Sequence, residues 1–428
     1  MINSELVKLI DFWQKDAINN KLLKRSVISS IDMKSKEVVD IVGPRRSGKS
    51  SVLKLLIKDL ISDNAGFFYM NFEDPYFVEN NKPAVITKLL ETYKEYYRRD
   101  LKYLFFDEIQ NIESWERVIR TLRDGGNYKV FVTGSSSKLL SGELATALTG
   151  RHLSYQVFPL YFNEFLDFEG VKIPDKKSAI LKEVSIKRLF LKYMEIGGFP
   201  EVVLYKNLSL LKQYYFDVLE KDIIKRHDVR EKEVMEKMGV FLITNSAKTI
   251  SLASLKGLYG KSFEAISNYL NYFKEAFLIF ELPQFSYSLK TQQKALKKYY
   301  CVDTGLANAI SFRFSEDKGR LLENITYLHI KKEATELYYY KTKSGKEVDF
   351  LAKEGKVMRL FNVCWDLHDV KTKERETKSL LEAMQETGLS EGTICTFEEE
   401  GVLSFGSNKI FLRPLYKYLS GLIPNWKV

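Results

Sequence analysis

The stretch KEVVDIVGPRRSGKSSVLKLLIKDL, residues 36–60, leaves the surrounding chain few ways to fold. Five apolar-rich positions, Val38 to Val42, read as a buried strand. They run without a spacer into a loop bounded by Gly43 and Gly48, and then into a helix carrying Val52, Leu53, Leu55, Leu56 and Leu60 on its apolar stripe. Strand, glycine loop and helix in that order match G-x-x-x-x-G-K-[ST] in the context it requires. The glycines let several backbone N–H groups turn inward at the positive end of the helix, which makes a cradle for phosphate. The expected ligands are Gly43, Pro44, Arg45, Arg46, Ser47, Gly48, Lys49, Ser50 and Ser51. Lys49 reaches the β- and γ-phosphates of ATP or ADP, and the Ser50 hydroxyl meets Mg²⁺.

A second strand supports this reading. In DLKYLFFDEIQNIESWERVIRTLRD the continuous apolar run Tyr103–Phe106 ends in Asp107-Glu108, a pattern expected of a parallel strand buried on both faces. Asp107 is placed to hold Mg²⁺ through water, and Glu108 to polarise an attacking water. A third strand, YKVFVTGSSSKLL (128–140), brings Thr133 and Ser135 alongside as candidates to sense the γ-phosphate. Residues 66–77 and 151–160 supply two more strands. Five strands with helices between them predict an α/β fold, a doubly wound parallel sheet with its ligand outside the strands' carboxyl ends.

GPRRSGK, NFEDP, LFFDEIQ, TGSSS, LTGR…FPLYFNEF and GGFPEVV, in that order, resemble the prokaryotic, mainly archaeal, P-loop ATPases of the AAA+ superfamily that carry a C-terminal restriction-endonuclease-like domain. The resemblance covers nearly the whole chain. It implies the roles given above for Lys49, Ser50, Asp107 and Glu108. It also suggests Arg151, in TGR, as an arginine facing the γ-phosphate of its own site or of a neighbouring subunit. The domains expected are an ATPase core over 1–165, a helical lid over 166–247, a winged helix over 248–311 and a PD-(D/E)XK nuclease-like domain over 312–428.

The winged-helix expectation has its own residues. ISLASLKGLYGKSFEAISNYLNYFKEAFLIFELPQF reads as helix, turn at Gly260, helix, strand. Ser262 is the N-cap of the second helix, and Ile266, Leu270, Phe273 and Phe277 lie on its buried face. A basic wing of Lys290, Lys294, Lys297 and Lys298 would touch DNA phosphates, while Lys261, Asn268, Asn271 and Lys274 form the polar face of the second helix.

In the last part, EVDFLAKEGKVMRLFNVCW (347–365) reads as a hairpin whose first strand carries Glu347 and Asp349 on one face. By resemblance, Glu323 and Asp349 match two of the nuclease acids. The third position departs, because Asn362-Val363-Cys364 stands where an acid and a lysine belong. Without a lysine held in place the scaffold is expected to have lost its chemistry, since loss of one well-placed charge costs ~10²–10³ in rate.

Composition narrows the partners. Net charge is +10 from 66 Lys+Arg against 56 Asp+Glu, which permits DNA binding without requiring it. Cys301, Cys364 and Cys395 are too few and scattered for a disulfide framework, and no Cys/His pair has zinc spacing. A cytoplasmic setting follows, and no apolar run reaches the ~18–20 residues that cross a bilayer. The function expected is an ATPase that moves its winged-helix and nuclease-like modules on DNA, as a homo-oligomer in one arrangement. The alternatives are an ATP switch that recruits a protein partner, and an ATP-gated nuclease.

Overall fold

The computed structural model describes residues 4–19, 21–62, 66–97, 100–135, 150–311 and 317–423. The chain divides into two compact units, one of Met1–Phe158 with Glu275–Phe277, the other of Pro159–Lys274 and Leu278–Val428. Residues 166–428, expected as three domains, fall in the second unit apart from Glu275–Phe277.

Unit 1 is a five-stranded sheet of β1 (Val38–Val42), β2 (Gly66–Asn71), β3 (Leu101–Asp107), β4 (Lys129–Gly134) and β5 (His152–Gln156). The order is β2-β3-β4-β1-β5 and every pairing is parallel. Helices α1 (Ser4–Ile18), α2 (Lys49–Ser62), α3 (Ala84–Tyr97) and α4 (Trp115–Asp124) complete its described regular structure, apart from short turns. Val39, Ile41, Phe67, Tyr69, Phe105 and Phe131 from the strands meet Val52, Leu53 and Leu56 of α2 in one buried cluster. Each such side chain contributes roughly 1.5–3 kcal/mol on leaving water. The strands are shorter than the sequence suggests: β4 stops at Gly134 and β5 at Gln156. Ser136 and Ser137 of the TGSSS stretch lie outside the described residues.

Asp40, mid-strand in β1, is fully buried. Its carboxylate accepts from Ser154 at 2.5 Å and pairs with His152 Nδ1 at 2.8 Å, both on β5. The pair pins β1 to β5 in register, Val38 opposite His152 and Val42 opposite Gln156.

Unit 2 holds α5 (Phe162–Phe168), α6 (Glu183–Ile196), α7 (Lys232–Thr244), α8 (Leu252–Tyr259), α9 (Phe263–Glu275), α10 (Thr304–Ile310), α11 (Lys318–Glu333) and α12 (Val370–Thr387), together with the helix Ser209–Asp217 and shorter segments. The GGFP corner follows α6. Gly197 has φ +72°, and a Cβ there would lie 2.1 Å from the Asp303 carboxylate. Asp303 accepts from Gly198 N–H (2.7 Å) and Leu306 N–H (2.8 Å), joining that corner to the start of α10.

The helix–turn–helix pattern of α8 and α9 folds as expected locally. Gly260 takes φ +63°, the Ser262 hydroxyl accepts from Ala265 N–H, and Ile266, Leu270 and Phe273 are buried. Phe277 lies beyond the helix, at φ +58°, rather than on its face. A small antiparallel sheet follows, with β6 (Thr249–Ile250) and β7 (Ile279–Leu282) flanking β8 (Lys297–Cys301). The C-terminal part is a six-stranded sheet of β9 (Glu336–Lys341), β10 (Glu347–Glu354), β11 (Val357–Val363), β12 (Glu391–Thr396), β13 (Gly401–Phe405) and β14 (Asn408–Pro414), in the order β13-β14-β12-β11-β10-β9. Val348, Leu351, Leu360, Ile394 and Ile410 from this sheet join Leu380, Ala383 and Met384 of α12 in its core. The hairpin expected from the sequence is present, with Phe350 opposite Phe361 and Gly355 at φ +59° in the turn.

The His152–Asp40 pair has a pH consequence. The hydrogen bond to Asp40 holds the imidazole pKa above its usual value, against burial, which acts the other way. A folded-state pKa above the unfolded one means the protonated ring favours folding. The contribution is therefore complete below about pH 6.5 and is lost as pH rises through the folded value. His152→Gln is expected to flatten that step in thermal melts of unit 1 followed across neutral pH.

Candidate nucleotide site

Because β1, β4 and β3 are level at their carboxyl ends, with Val42 opposite Gly134 and Phe106 opposite Val132, the loop after β1 and the acids after β3 share one edge. The loop is tight. A Cβ on Gly43 would lie 2.0 Å from the Val157 carbonyl, and Gly48 has φ +97°. Arg46 adopts φ +68°, a left-handed backbone that a non-glycine residue takes only when its surroundings impose it. Val52 N–H reaches the Gly48 carbonyl at 3.0 Å, so the first turn of α2 starts directly from the loop.

Lys49 is 4% exposed. Its Nζ donates to the Gly43 and Pro44 carbonyls (3.2 and 3.3 Å) and lies 3.4 Å from Glu108 Oε1. The loop thus folds around its own ammonium. Burial raises the Glu108 carboxyl, but the charges of Lys49 and Arg45 outweigh it and the net shift is downward. Gln110 donates to Glu108 Oε2 at 2.6 Å. Arg45 also pairs with Glu73, of the NFEDP stretch, at 2.6 Å.

Asp107 is fully buried. Burial first, and the neighbouring Glu108 charge second, push its carboxyl pKa up. Tyr69 donates to its Oδ2 at 2.9 Å, Thr133 donates to its Oδ1, and Ser50 bonds it as well. Thr133 Oγ1 also accepts the Glu108 backbone N–H at 2.9 Å. Thr133 is therefore committed to setting the acid pair in place, and its hydroxyl does not stand free for a phosphate. Glu108 itself has φ +50°.

These residues fit a magnesium–nucleotide complex on the donor set alone. Lys49 suits phosphate oxygens, Ser50 and Asp107 would supply the oxygen ligands magnesium prefers, and the Ser47 hydroxyl is buried with no partner among the described residues. Arg151 falls elsewhere. Val38 N–H bonds its carbonyl, which places it at the amino-terminal end of β1 and β5, the opposite edge from the loop, where its half-exposed guanidinium pairs with Asp124. It does not face the phosphates of its own site.

Sequence reasoning missed Arg25. It is buried, with Nη1 2.7 Å from the Ser47 carbonyl and Nη2 2.7 Å from the Phe158 carbonyl. It clamps the loop to a strand end 133 residues away. Tyr69 was missed also. Neither has a local pattern that would mark it, because each acts through partners distant in sequence.

In unit 2, Glu323 and Asp349 do come together, both within reach of Lys298. Among the basic-wing residues only Lys290 and Lys294 are exposed. Lys297 pairs with Glu281 at 2.6 Å, and Lys298 is buried. Lys274, on α9, is tied to Glu281, and Lys261, expected on the polar face of that helix, precedes it and is tied to Glu231. The segment 290–298 reads as more basic in sequence than it is in space, because Lys297 and Lys298 are already paired with carboxylates.

A parallel sheet of this order, with a glycine loop after β1 and an acid pair two strands away at the end of β3, has the arrangement of a P-loop nucleotide-binding fold. Residues 35–166 match the family model described as an AAA domain. Residues 187–317 and 318–417 match two domain models of unknown function, DUF8612 and DUF4143. The chain is 34% identical to the uncharacterized protein MJ1544 of Methanocaldococcus jannaschii over all of its own length and 96% of that protein, and it belongs to the same family. An uncharacterized protein of Haemophilus influenzae is 28% identical over 82% of this chain and 88% of its own length. Among solved structures, the Aeropyrum pernix Orc1 protein in complex with DNA is similar at 12% identity and TM-score 0.30, covering 74% of this chain and 92% of that one. The S. cerevisiae Hsp104–ADP complex is similar at 15% and 0.33, covering 62% and 42%.

Arg25→Met removes two charge-assisted hydrogen bonds, each worth ~1.5–3 kcal/mol. The expected result is a nucleotide Kd raised about tenfold or more, by calorimetry, with the melting point of unit 1 lowered by several degrees.

Proposed function

We propose that the protein binds ATP with Mg²⁺ at the loop 43–51, hydrolyses it, and uses the cycle to move unit 2 on DNA. The observation that carries this is the convergence of Lys49, Ser50, Asp107 and Glu108 on one sheet edge beside a buried Ser47 hydroxyl that has no partner among the described residues. Bound magnesium would supply charge neutralisation of the β- and γ-phosphates. The chain's own residues do the rest. Lys49 exchanges the Gly43 and Pro44 carbonyls for phosphate oxygens. That exchange separates it from Glu108 and leaves the carboxylate free to accept a proton from water. Gln110 holds that carboxylate through Oε2 while Thr133 fixes the Glu108 backbone N–H, and Asp107 with Ser50 would supply the metal's oxygen ligands.

DNA contact is proposed for the segment Leu252–Cys301, taken as a winged helix, with Lys290 and Lys294 as its exposed cations. The support is the helix–turn–helix followed by a small sheet, together with the +10 net charge. The sheet of residues 336–414 is proposed as a restriction-endonuclease-like scaffold without nuclease activity, on the ground that Asn362 and Cys364 replace the third acid and the lysine.

Lys49→Ala is expected to abolish the heat of ATP binding. Glu108→Gln should leave binding intact and lower turnover by ~10²–10³. Intact turnover in either variant overturns the assigned roles.

The DNA reading predicts that log affinity of the ATP-loaded protein falls linearly with log salt. Lys290→Glu with Lys294→Glu should reduce the slope by about 2. Binding that ignores salt would favour a protein partner instead.

A further inference from the structure

Lys298, on β8, is 2% exposed, and its ammonium reaches three carboxylates at once. Glu347 Oε1 lies at 2.7 Å, Glu323 Oε1 at 3.0 Å and Asp349 Oδ1 at 3.1 Å. The acids come from two elements, Glu323 from α11 and the other two from β10, so the cluster is assembled by the fold. An ammonium has three N–H donors, and here three oxygens use them. No donor remains to hold a phosphate or to orient a water.

The surrounding bonds leave little slack. Tyr300, two residues on and on the same face of β8, donates to Glu323 Oε1 at 2.7 Å. The other Asp349 oxygen accepts the Val363 N–H at 2.8 Å. Asn362 is fully buried. Its amide accepts from Asp349 N–H at 3.3 Å and donates to Glu376 Oε2 at 2.8 Å and Ser379 Oγ at 2.9 Å. The position that lacks an acid is thus a neutral bridge between Asp349 and Glu376, whose own carboxylate pairs with Arg375 at 2.8 Å.

Three carboxylates around one ammonium leave the cluster short of positive charge. Burial first, and the Asp349 charge second, push the Glu323 carboxyl pKa up, while the carboxylates hold the Lys298 ammonium in its charged form against its burial. Without Lys298, two or three converging carboxylates would face one another in a largely buried space. A hard divalent cation with oxygen ligands is the group that suits such a space.

We infer that Lys298 is an internal counter-ion occupying the place of a divalent cation between Glu323, Glu347 and Asp349, so that unit 2 carries a latent metal site that its own ammonium keeps closed. The inference is independent of the nucleotide reading. The wild-type unit 2 should therefore bind no divalent ion through Asp349, and removing the ammonium should open the site.

The test uses the full chain, free of nucleotide, with Asp107→Asn to remove the metal ligand of the loop site. Uptake of Mn²⁺ is followed by loss of its free EPR signal. The parent should show no uptake that depends on Asp349. Adding Lys298→Met, which keeps the length of the side chain, should give about one further Mn²⁺ per chain, with Kd on the order of 10⁻⁴ M or tighter. A further Asp349→Asn should abolish it. Asp349-dependent uptake by the parent overturns the proposal, and so does a folded Lys298→Met variant that takes up none. Should Lys298→Met fail to fold, combining it with Glu347→Gln and Asp349→Asn is the second reading. Recovery of the cooperative melt supports neutralisation as the task of Lys298, and failure to recover overturns it.

Discussion

An ionised side chain can leave water only in the company of opposite charge or of donors and acceptors that replace its hydration. That constraint shapes both units. In unit 1, Lys49 is buried against two carbonyls and Glu108, and Asp107 against three hydroxyls. In unit 2, Lys298 is buried among three carboxylates. Each cluster draws its members from elements far apart in sequence. Each therefore exists only when the fold is complete, and each fixes how those elements meet.

The two buried lysines differ in what they can give up. Lys49 spends its donors on loop carbonyls and on an ion pair of 3.4 Å, contacts that a phosphate can replace with interest in charge. Lys298 is held at 2.7–3.1 Å by carboxylates only, and no neutral ligand could match them. The same side chain is thus a reactive hand in one unit and a fixed bolt in the other. Burial alone does not separate the roles; the identity of the partners does.

The sequence made the loop, the strand ending in Asp107-Glu108 and the α8–α9 turn legible, because each is a local pattern of strand, glycine or cap with its own spacing. It hid Arg25, whose two acceptors lie 22 and 133 residues away. It also made Lys298 look like part of a basic surface, since KKYYC places a charge cluster next to apolar residues and nothing nearby reveals the acids of α11 and β10. Arg151 looked suited to a phosphate by family resemblance. The strand that follows it carries it to the far edge of the sheet. Asn362 read as a missing acid, and its buried amide proved to be a connector instead. What the local pattern could not supply in each case was a distance across the fold.

Glu108 carries its side chain from a left-handed backbone, where most residues are strained and glycine is not. A glycine would sit there with greater ease, and the chain keeps a glutamate. The conformation swings the carboxylate out of the strand's pleat and toward the Lys49 ammonium, a direction that a regular extended residue would not give. Steric discomfort at a single peptide is thus the means by which a straight strand presents two successive acids to one small volume, and a lineage released from needing the second acid would be free to relax there.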